Sequence, residues 1–285
     1  MVIFGDPKKE YVAEAIRDFT GFVKGKAVII ADCLLDNTAP PEVPQRCDFA
    51  VVFGGDGSII SAGRTLRGNS VPVIGVNLGK LGYLAEFSLA ELKNRFDYII
   101  AGKATIEKRM MLSCKLFSSP KKKEPEFSSA AINDIFITAG PPFRMVELKI
   151  AVDGQPLAGC VSDGLIISTP TGSTAYNLAA GGPILSPTME AMVITPICPH
   201  SLSFRPIVIN AASTVEVWGI RVNEGTTVSI DGQIPSTLAV GNVVRVEKHK
   251  HHFLLVNNPM RTQWDTLASK LSWAEKPKYM KETVQ

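Results

Sequence analysis

The chain has 285 residues, 45% of them apolar and 20% charged, with a formal net charge of +3. That length buries a substantial core and suits two domains, and the composition excludes a disordered or fibrous chain. The small charge gives no electrostatic case for nucleic acid, and no apolar run approaches the length of a membrane helix.

In chain order, residues 2–4, 27–31, 49–53 and 72–76 read as short buried strands. Residues 8–23, 58–69 and 88–101 alternate with them at helical spacing, the last opening on Ser88 with Glu91 placed for a capping box. This is the pattern of a doubly wound α/β unit. Between the third strand and the second helix lies Gly54-Gly55-Asp56-Gly57-Ser58. Its glycines let the backbone approach a phosphate, and the helix start behind them offers N–H groups to an anion. The carboxyl end of a parallel strand is also where open α/β sheets bind ligands. A carboxylate repels phosphate, so Asp56 suits two roles, base toward a hydroxyl or magnesium ligand. The Gly-Lys pairs at 25–26, 79–80 and 102–103 are not followed by Ser or Thr, and no Gly-x-Gly-x-x-Gly occurs, which removes the commoner nucleotide loops.

After about residue 105 the texture changes. Segments 111–117, 131–138, 146–152, 165–169, 207–210, 214–218, 227–230 and 243–247 are short, rich in Val, Ile and Thr, and separated by turns. They predict an antiparallel β domain. Within it, Thr169-Pro170-Thr171-Gly172-Ser173-Thr174-Ala175-Tyr176 follows Asp163 and leads to Gly181-Gly182. Hydroxyls this dense beside glycines can bond a polyol or phosphate, and a tyrosine ring can lie against a base or sugar. A Ser/Thr-rich turn capping a short helix at 174–180 explains the same local shape. The tail 259–273, with Trp264, Leu267, Leu271 and Trp273, reads as a closing helix that returns to the first domain.

Residues 54–58, 75–83, Asn133-Asp134, 163–184 and 199–206 (PHSLSFRP) stand in the order and spacing of the NAD kinase family. The chain resembles that family over nearly its whole length, most strongly over 50–235. The GGDG element alone is shared with lipid kinases and 6-phosphofructokinases; the later segments are more specific. The resemblance implies an α/β N-terminal Rossmann-like domain, 1–104 completed by 259–285, plus a C-terminal all-β sandwich domain, 105–258, with the site between them.

It further implies that Asp56 accepts the proton of the 2′-hydroxyl of NAD's adenosine ribose, which attacks the γ-phosphate of ATP. Gly57 would line the phosphate side and Tyr83 would stand near the adenine. Asn133 and Asp134 would bond ribose and amide groups, and Arg144 would touch substrate. Asp163, Thr174, Ala175, Tyr176, Ala179 and Gln233 fall on dinucleotide contacts. The same resemblance implies magnesium (Mg2+) held mainly by nucleotide phosphates, with no protein metal ligand, and a homodimer or homotetramer. Three positions depart from the commoner pattern: Ser58 for Thr, Asp134 for Glu and Ala179 for Ser.

Other residues carry less. His249, His251 and His252 read as a hairpin turn, Lys121–Lys123 as an exposed loop, His200 as structural, and Trp218, Trp264 and Trp273 as core or interface anchors. The five scattered cysteines, without a Cys-x-x-Cys pair, fit reduced thiols in a cytoplasmic protein. Two competitors stand beside the NAD kinase reading: another GGDG-type kinase with a lipid or sugar acceptor, and a non-catalytic dinucleotide-binding sensor.

Overall fold

A computed structural model describes residues 1–34, 47–79 and 82–271. The first half runs β1 (Val2–Gly5), α1 (Glu10–Val23), β2 (Ala31–Leu34), β3 (Ala50–Phe53), α2 (Asp56–Thr65), β4 (Val73–Asn77), β5 (Phe87–Ser88), α3 (Leu89–Ile100) and β6 (Ile106–Arg109). The β1 and β3 runs are buried throughout, as a parallel sheet covered on both faces requires. On one face Val12, Phe19, Leu92 and Phe96 from α1 and α3 pack together, with Phe19 5.6 Å from Phe96 between ring centroids. The other face takes Ile59 and Ala62 of α2 and Leu66 just after it, together with Met111, Ala130 and Ile132 from the second domain.

Two elements are displaced from expectation. The second strand covers Ala31–Leu34 rather than 27–31, because its parallel register sets Ala31 opposite Val2, leaving Val28 exposed at the sheet edge. Helix α2 begins on Asp56 itself and ends at Thr65, with Gly68 and Ser70 then in positive-φ conformations that no helix continues. The capping box of α3 forms as expected: the Glu91 amide donates to Ser88 Oγ at 3.2 Å and the Ser88 amide to Glu91 Oε2 at 2.7 Å.

The second half is β7 (Leu112–Phe117), β8 (Phe127–Ala131), β9 (Asp134–Thr138), β10 (Val146–Val152), β11 (Gln155–Ser162), β12 (Gly164–Ser168), a 3-10 turn at Thr171–Thr174, α4 (Tyr176–Ala179), β13 (Ala191–Ile197), β14 (Ile207–Asn210), β15 (Val215–Arg221), β16 (Thr227–Ile230), β17 (Ile234–Thr237) and β18 (Val243–Lys248). They form two six-stranded antiparallel sheets, β11-β10-β15-β18-β7-β8 and β14-β13-β12-β9-β16-β17. Leu148, Ile150 and Val217 of one sheet and Ile137, Leu165 and Ile194 of the other share a single core. The expected strand 131–138 is two strands on different sheets, broken at Ile132–Asn133. Strands 155–162 and 234–237, left unassigned in the sequence, lie at sheet edges with exposed residues.

The chain then returns as β19 (Phe253–Val256) and α5 (Gln263–Leu271). β19 joins the first sheet, which runs β2-β1-β3-β4-β19-β6 with β5 beside β4. The 106–109 and 253–256 strands therefore belong to the first domain, not to a β domain bounded at 105 and 258. The histidine turn is not a hairpin either: it carries the chain from β18 of the second domain to β19 of the first. Trp264, expected as a packing anchor, is 63% exposed, whereas Leu267 is buried. Trp273 lies outside the described residues. Cys47, Cys114, Cys160 and Cys198 are unpaired.

Candidate active site

The strand order reverses direction beside β1, whose neighbours are β2 and β3, so the ligand crevice of the sheet opens at the carboxyl ends of β1 and β3. Gly54 and Gly55 stand there, followed by Asp56 as the first residue of α2. The Asp56 carboxylate accepts three backbone N–H bonds: from Tyr83 at 2.8 Å on Oδ2, and from Leu84 at 2.9 Å and Ala85 at 3.2 Å on Oδ1. Only glycine fits at 82, because a Cβ there would stand 2.0 Å from Asp56 Oδ1. A carboxylate offers about four acceptor positions, so Oδ1 is filled while Oδ2 keeps one open. Two cavities flank this group. One, of about 310 Å³, is lined by Tyr11, Gly54, Gly55 and Asn77–Gly79. The other, of about 180 Å³, is lined by Tyr83, Leu84, Thr171 and Thr174 among others.

The second domain is tied to α2 by a network with a buried ion pair at its centre. Asp231, in a left-handed turn with φ +51°, accepts the N–H groups of Ile132, Asn133 and Asp134 at 2.7–3.1 Å. Those bonds replace the ladder at the point where the chain crosses from β8 to β9. Arg64 of α2 donates through Nη1 to Asp231 Oδ2 at 2.7 Å, with side-chain exposures of 7% and 0%, and through Nη2 to Gln233. Gln233 Nε2 in turn donates to Gly57 O at 3.0 Å. Gly57 and Gln233 thus meet each other, and the helix that begins with Asp56 is tied to the backbone of Asn133-Asp134.

Asp134 is 3% exposed. Burial, and then the nearby charge of Asp231, push its carboxyl up to about 7. At that value it exchanges between hydrogen-bond acceptor and donor near neutral pH. Tyr176 stands edge-on to Phe136, 5.1 Å between ring centroids. Its hydroxyl is raised above the ordinary value, by burial first and then by the charges of Cys198, Asp134 and Asp163.

The hydroxyl-rich stretch divides into two classes. Thr169 Oγ1 donates to Ile132 O at 2.7 Å, Ser173 Oγ donates to Pro170 O at 2.6 Å and accepts from Leu185 N at 3.0 Å, and Ser168 Oγ donates to Thr169 O at 2.9 Å. Buried Asn177 accepts from Thr195 Oγ1 at 2.6 Å and donates to Ser173 O and Pro183 O, both at 3.1 Å. These groups build the loop. Gly172 seats it against the Asn133 backbone, since a Cβ would fall 2.1 Å from Asn133 O. Thr174, Ala175, Tyr176 and Ala179 remain half-buried or exposed on its outer side, and Asp163 is exposed beside them. Arg144 stands apart, exposed in the loop after Gly140, where its carbonyl accepts from Asn223 Nδ2 at 2.6 Å. Its side chain makes no hydrogen bond or ion pair among the described residues.

Sequence reasoning missed Arg64, Asp231 and Thr171. The signal for Arg64 was a lone arginine between the packed positions Ala62 and Leu66, because a charge on a buried helix face needs a partner. Thr171 Oγ1 is buried in the second cavity without a hydrogen-bond partner. Nothing in its sequence context separates it from Thr169 or Ser173, which serve the loop.

The family model of the ATP-NAD kinase N-terminal domain matches residues 26–104, and that of the ATP-NAD kinase C-terminal domain matches 132–258. A curated NAD kinase of Geobacter metallireducens is 41% identical over 235 residues, 82% of this chain and 82% of its own. The NAD kinase of Syntrophotalea carbinolica is 35% identical over 269 residues, 91% of this chain and 93% of its own. Among solved structures, yeast NADH kinase complexed with NADH superposes with a TM-score of 0.84 and 28% identity, covering 98% of this chain and 89% of that one. An NAD kinase from Archaeoglobus fulgidus in complex with ATP shares the fold, with a TM-score of 0.72 and 24% identity over 95% of this chain and 97% of that one.

Proposed function

Because this chain belongs to the ATP-NAD kinase family, we propose that Asp56 is the base of its phosphoryl transfer and that the two cavities beside it receive the two nucleotides. The activity is that of an NAD kinase: the γ-phosphoryl group of ATP passes to the 2′-hydroxyl of NAD's adenosine ribose, giving NADP. The observation that carries the assignment of Asp56 is its pattern of contacts. Three backbone N–H groups fix the carboxylate in place, yet Oδ2 keeps one acceptor position for a hydroxyl proton.

The ribose 2′-oxygen forms a bond to the γ-phosphorus as the bond from that phosphorus to the bridging β–γ oxygen breaks. The hydroxyl proton goes to Asp56 Oδ2, and ADP leaves. On the donor side, the first N–H groups of α2 lack intrahelical partners and face a glycine turn, which suits the triphosphate. On the acceptor side, Asn133, Asp134, Thr174, Ala175 and Tyr176 hold the dinucleotide, with Asp163 and Ala179 at the rim and Tyr83 beside the adenine. Gln233 and Gly57 act by bracing the turn, and Arg144, apart from these groups on its exposed loop, owes its assigned substrate contact to the family resemblance alone.

A divalent ion such as magnesium supplies charge neutralisation when it is bound. The nucleotide phosphates would carry most of its coordination. A cytoplasmic location accords with the unpaired cysteines, and no described helix is long and apolar enough to cross a membrane. Leu202, 90% exposed within PHSLSFRP, and Phe143, 72% exposed before Arg144, support assembly as a homodimer or homotetramer.

The test is Asp56→Asn. NAD binding should hold within a few-fold while turnover falls by about 10²–10⁴. Turnover near that of the wild type removes Asp56 as the base. Assays with diacylglycerol or fructose 6-phosphate in place of NAD check the other GGDG chemistries.

A further inference from the structure

The cavity of about 180 Å³ beside Tyr83 reaches well beyond the residues considered so far, to Arg109 of β6 and to the segment linking β19 and α5. Among the described residues, five buried side-chain polar atoms lack a hydrogen-bond partner: Tyr83 Oη, Arg109 Nε, Thr171 Oγ1, Asn257 Oδ1 and Arg261 Nη1. All five belong to residues that line this one cavity. Unpaired buried polar groups are rare in folded proteins. Their concentration here marks a surface made for a polar ligand.

The atoms specify the ligand's chemistry. Arg109 Nε and Arg261 Nη1 only donate, Asn257 Oδ1 only accepts, and the two hydroxyls do either. The occupant therefore presents at least two acceptors and one donor. It need not be charged, because each guanidinium already has a carboxylate: Arg109 pairs with Glu107, and Arg261 Nη2 lies 2.9 Å from Glu91 Oε1. Glu86, whose Oε2 accepts from Asn258 N at 2.7 Å, is pushed toward its neutral form chiefly by burial. Leu84, Ile184, Leu185, Pro187, Trp264 and Leu267 give the cavity an apolar portion beside its polar lining. A cavity of about 150 Å³ takes a benzene ring, so this one suits a single flat heterocycle.

We propose that Asn257, Arg109 and Arg261 form the edge-reading wall of the acceptor's base pocket and select a 6-aminopurine. This rests on Asp56 holding the adenosine ribose, because the backbone N–H groups of Tyr83 and Leu84 that bind Asp56 belong to the cavity's own lining. The base attached to that ribose then lies one sugar away. Adenine brings ring nitrogens for the arginine N–H groups and an amino group for Asn257 Oδ1. Hypoxanthine replaces that amino group with a carbonyl and puts a proton on the adjacent ring nitrogen, so acceptor meets acceptor and donor meets donor.

The test is calorimetric titration of the full chain with NAD and with nicotinamide hypoxanthine dinucleotide. Wild type should bind NAD on the order of 10- to 100-fold more tightly. Asn257→Ala should lose most of that preference, and Asn257→Asp, which keeps an acceptor, should retain it. Equal wild-type affinity for the two dinucleotides overturns the proposal and leaves the space to roughly six waters at their liquid volume. A preference that Asn257→Ala keeps in full overturns it as well. Titration reads binding without turnover, so loss of kinase activity in Asp56→Asn, or its absence, bears on the base and not on this wall.

Discussion

The two glycine-rich loops that meet at the site work in opposite ways. At Gly54–Ser58 the chain makes few bonds within the loop, and its one carboxylate is fixed from outside by the Tyr83–Ala85 backbone. At Thr169–Pro183 the side chains of Thr169, Ser173 and Asn177 are bound within the second domain. The first loop is a bare cradle positioned by its neighbours. The second is a prefabricated wall whose polar groups hold its own shape and leave Thr171 and Thr174 at the cavity. On the proposed assignment, chemistry falls to the sparsely bonded loop and recognition to the densely bonded one.

The sharpest way to break this division is at the brace between them. Arg64→Met leaves Asp231 buried without its cation and should cost about 3–5 kcal/mol of stability, read by chemical denaturation. Turnover should fall further than the folded fraction accounts for. Gly172→Ala sets a methyl 2.1 Å from Asn133 O and should cost about 1–3 kcal/mol. It should raise KM for NAD while leaving KM for ATP in place, because it moves only the acceptor wall.

Asp134 gives a prediction in pH. Its carboxyl stays protonated up to about 7, against an ordinary 3.8. The folded chain therefore binds a proton that the unfolded chain releases across that interval, and stability from this group declines as pH rises through it. Asp134→Asn removes the decline: it should exceed wild type by up to about 4 kcal/mol at about pH 8 and approach it near pH 4. The smallest effect belongs to Ser173→Ala, about 1–2 kcal/mol of stability for a buried hydroxyl with partners on both sides, with kcat unchanged. A large fall in kcat there would show that the second loop takes part in the chemistry.

Much of this was legible in the sequence. The alternation of buried runs and helical spacing gave the parallel sheet, and Ser88 with Glu91 marked the start of α3. Asp56 stood out because glycines on both sides left it nothing else to do. What stayed hidden depends on long-range pairing. The break at Ile132–Asn133 is set by Asp231, about a hundred residues on, and no local pattern announces a carboxylate that will replace ladder bonds. The density of hydroxyls at 168–174 suggested ligand contact throughout, yet several bind their own loop, because a tight turn buries carbonyls that need donors. Arg109, Asn257 and Arg261 come from three separate segments and carry no motif, so only folding brings them to one cavity.

The return of β19 to the first sheet has a consequence for how the polypeptide is made. Its strand lies between β4 and β6, and among the described residues β6 pairs with no other strand. While the ribosome is still adding the β sheets of the middle, the amino-terminal sheet lacks an inner member and ends on an unsealed edge. The nascent chain can close that edge only after residue 256 emerges, so the Gly54–Ser58 turn reaches its finished setting only once both sheets of the second domain have been made.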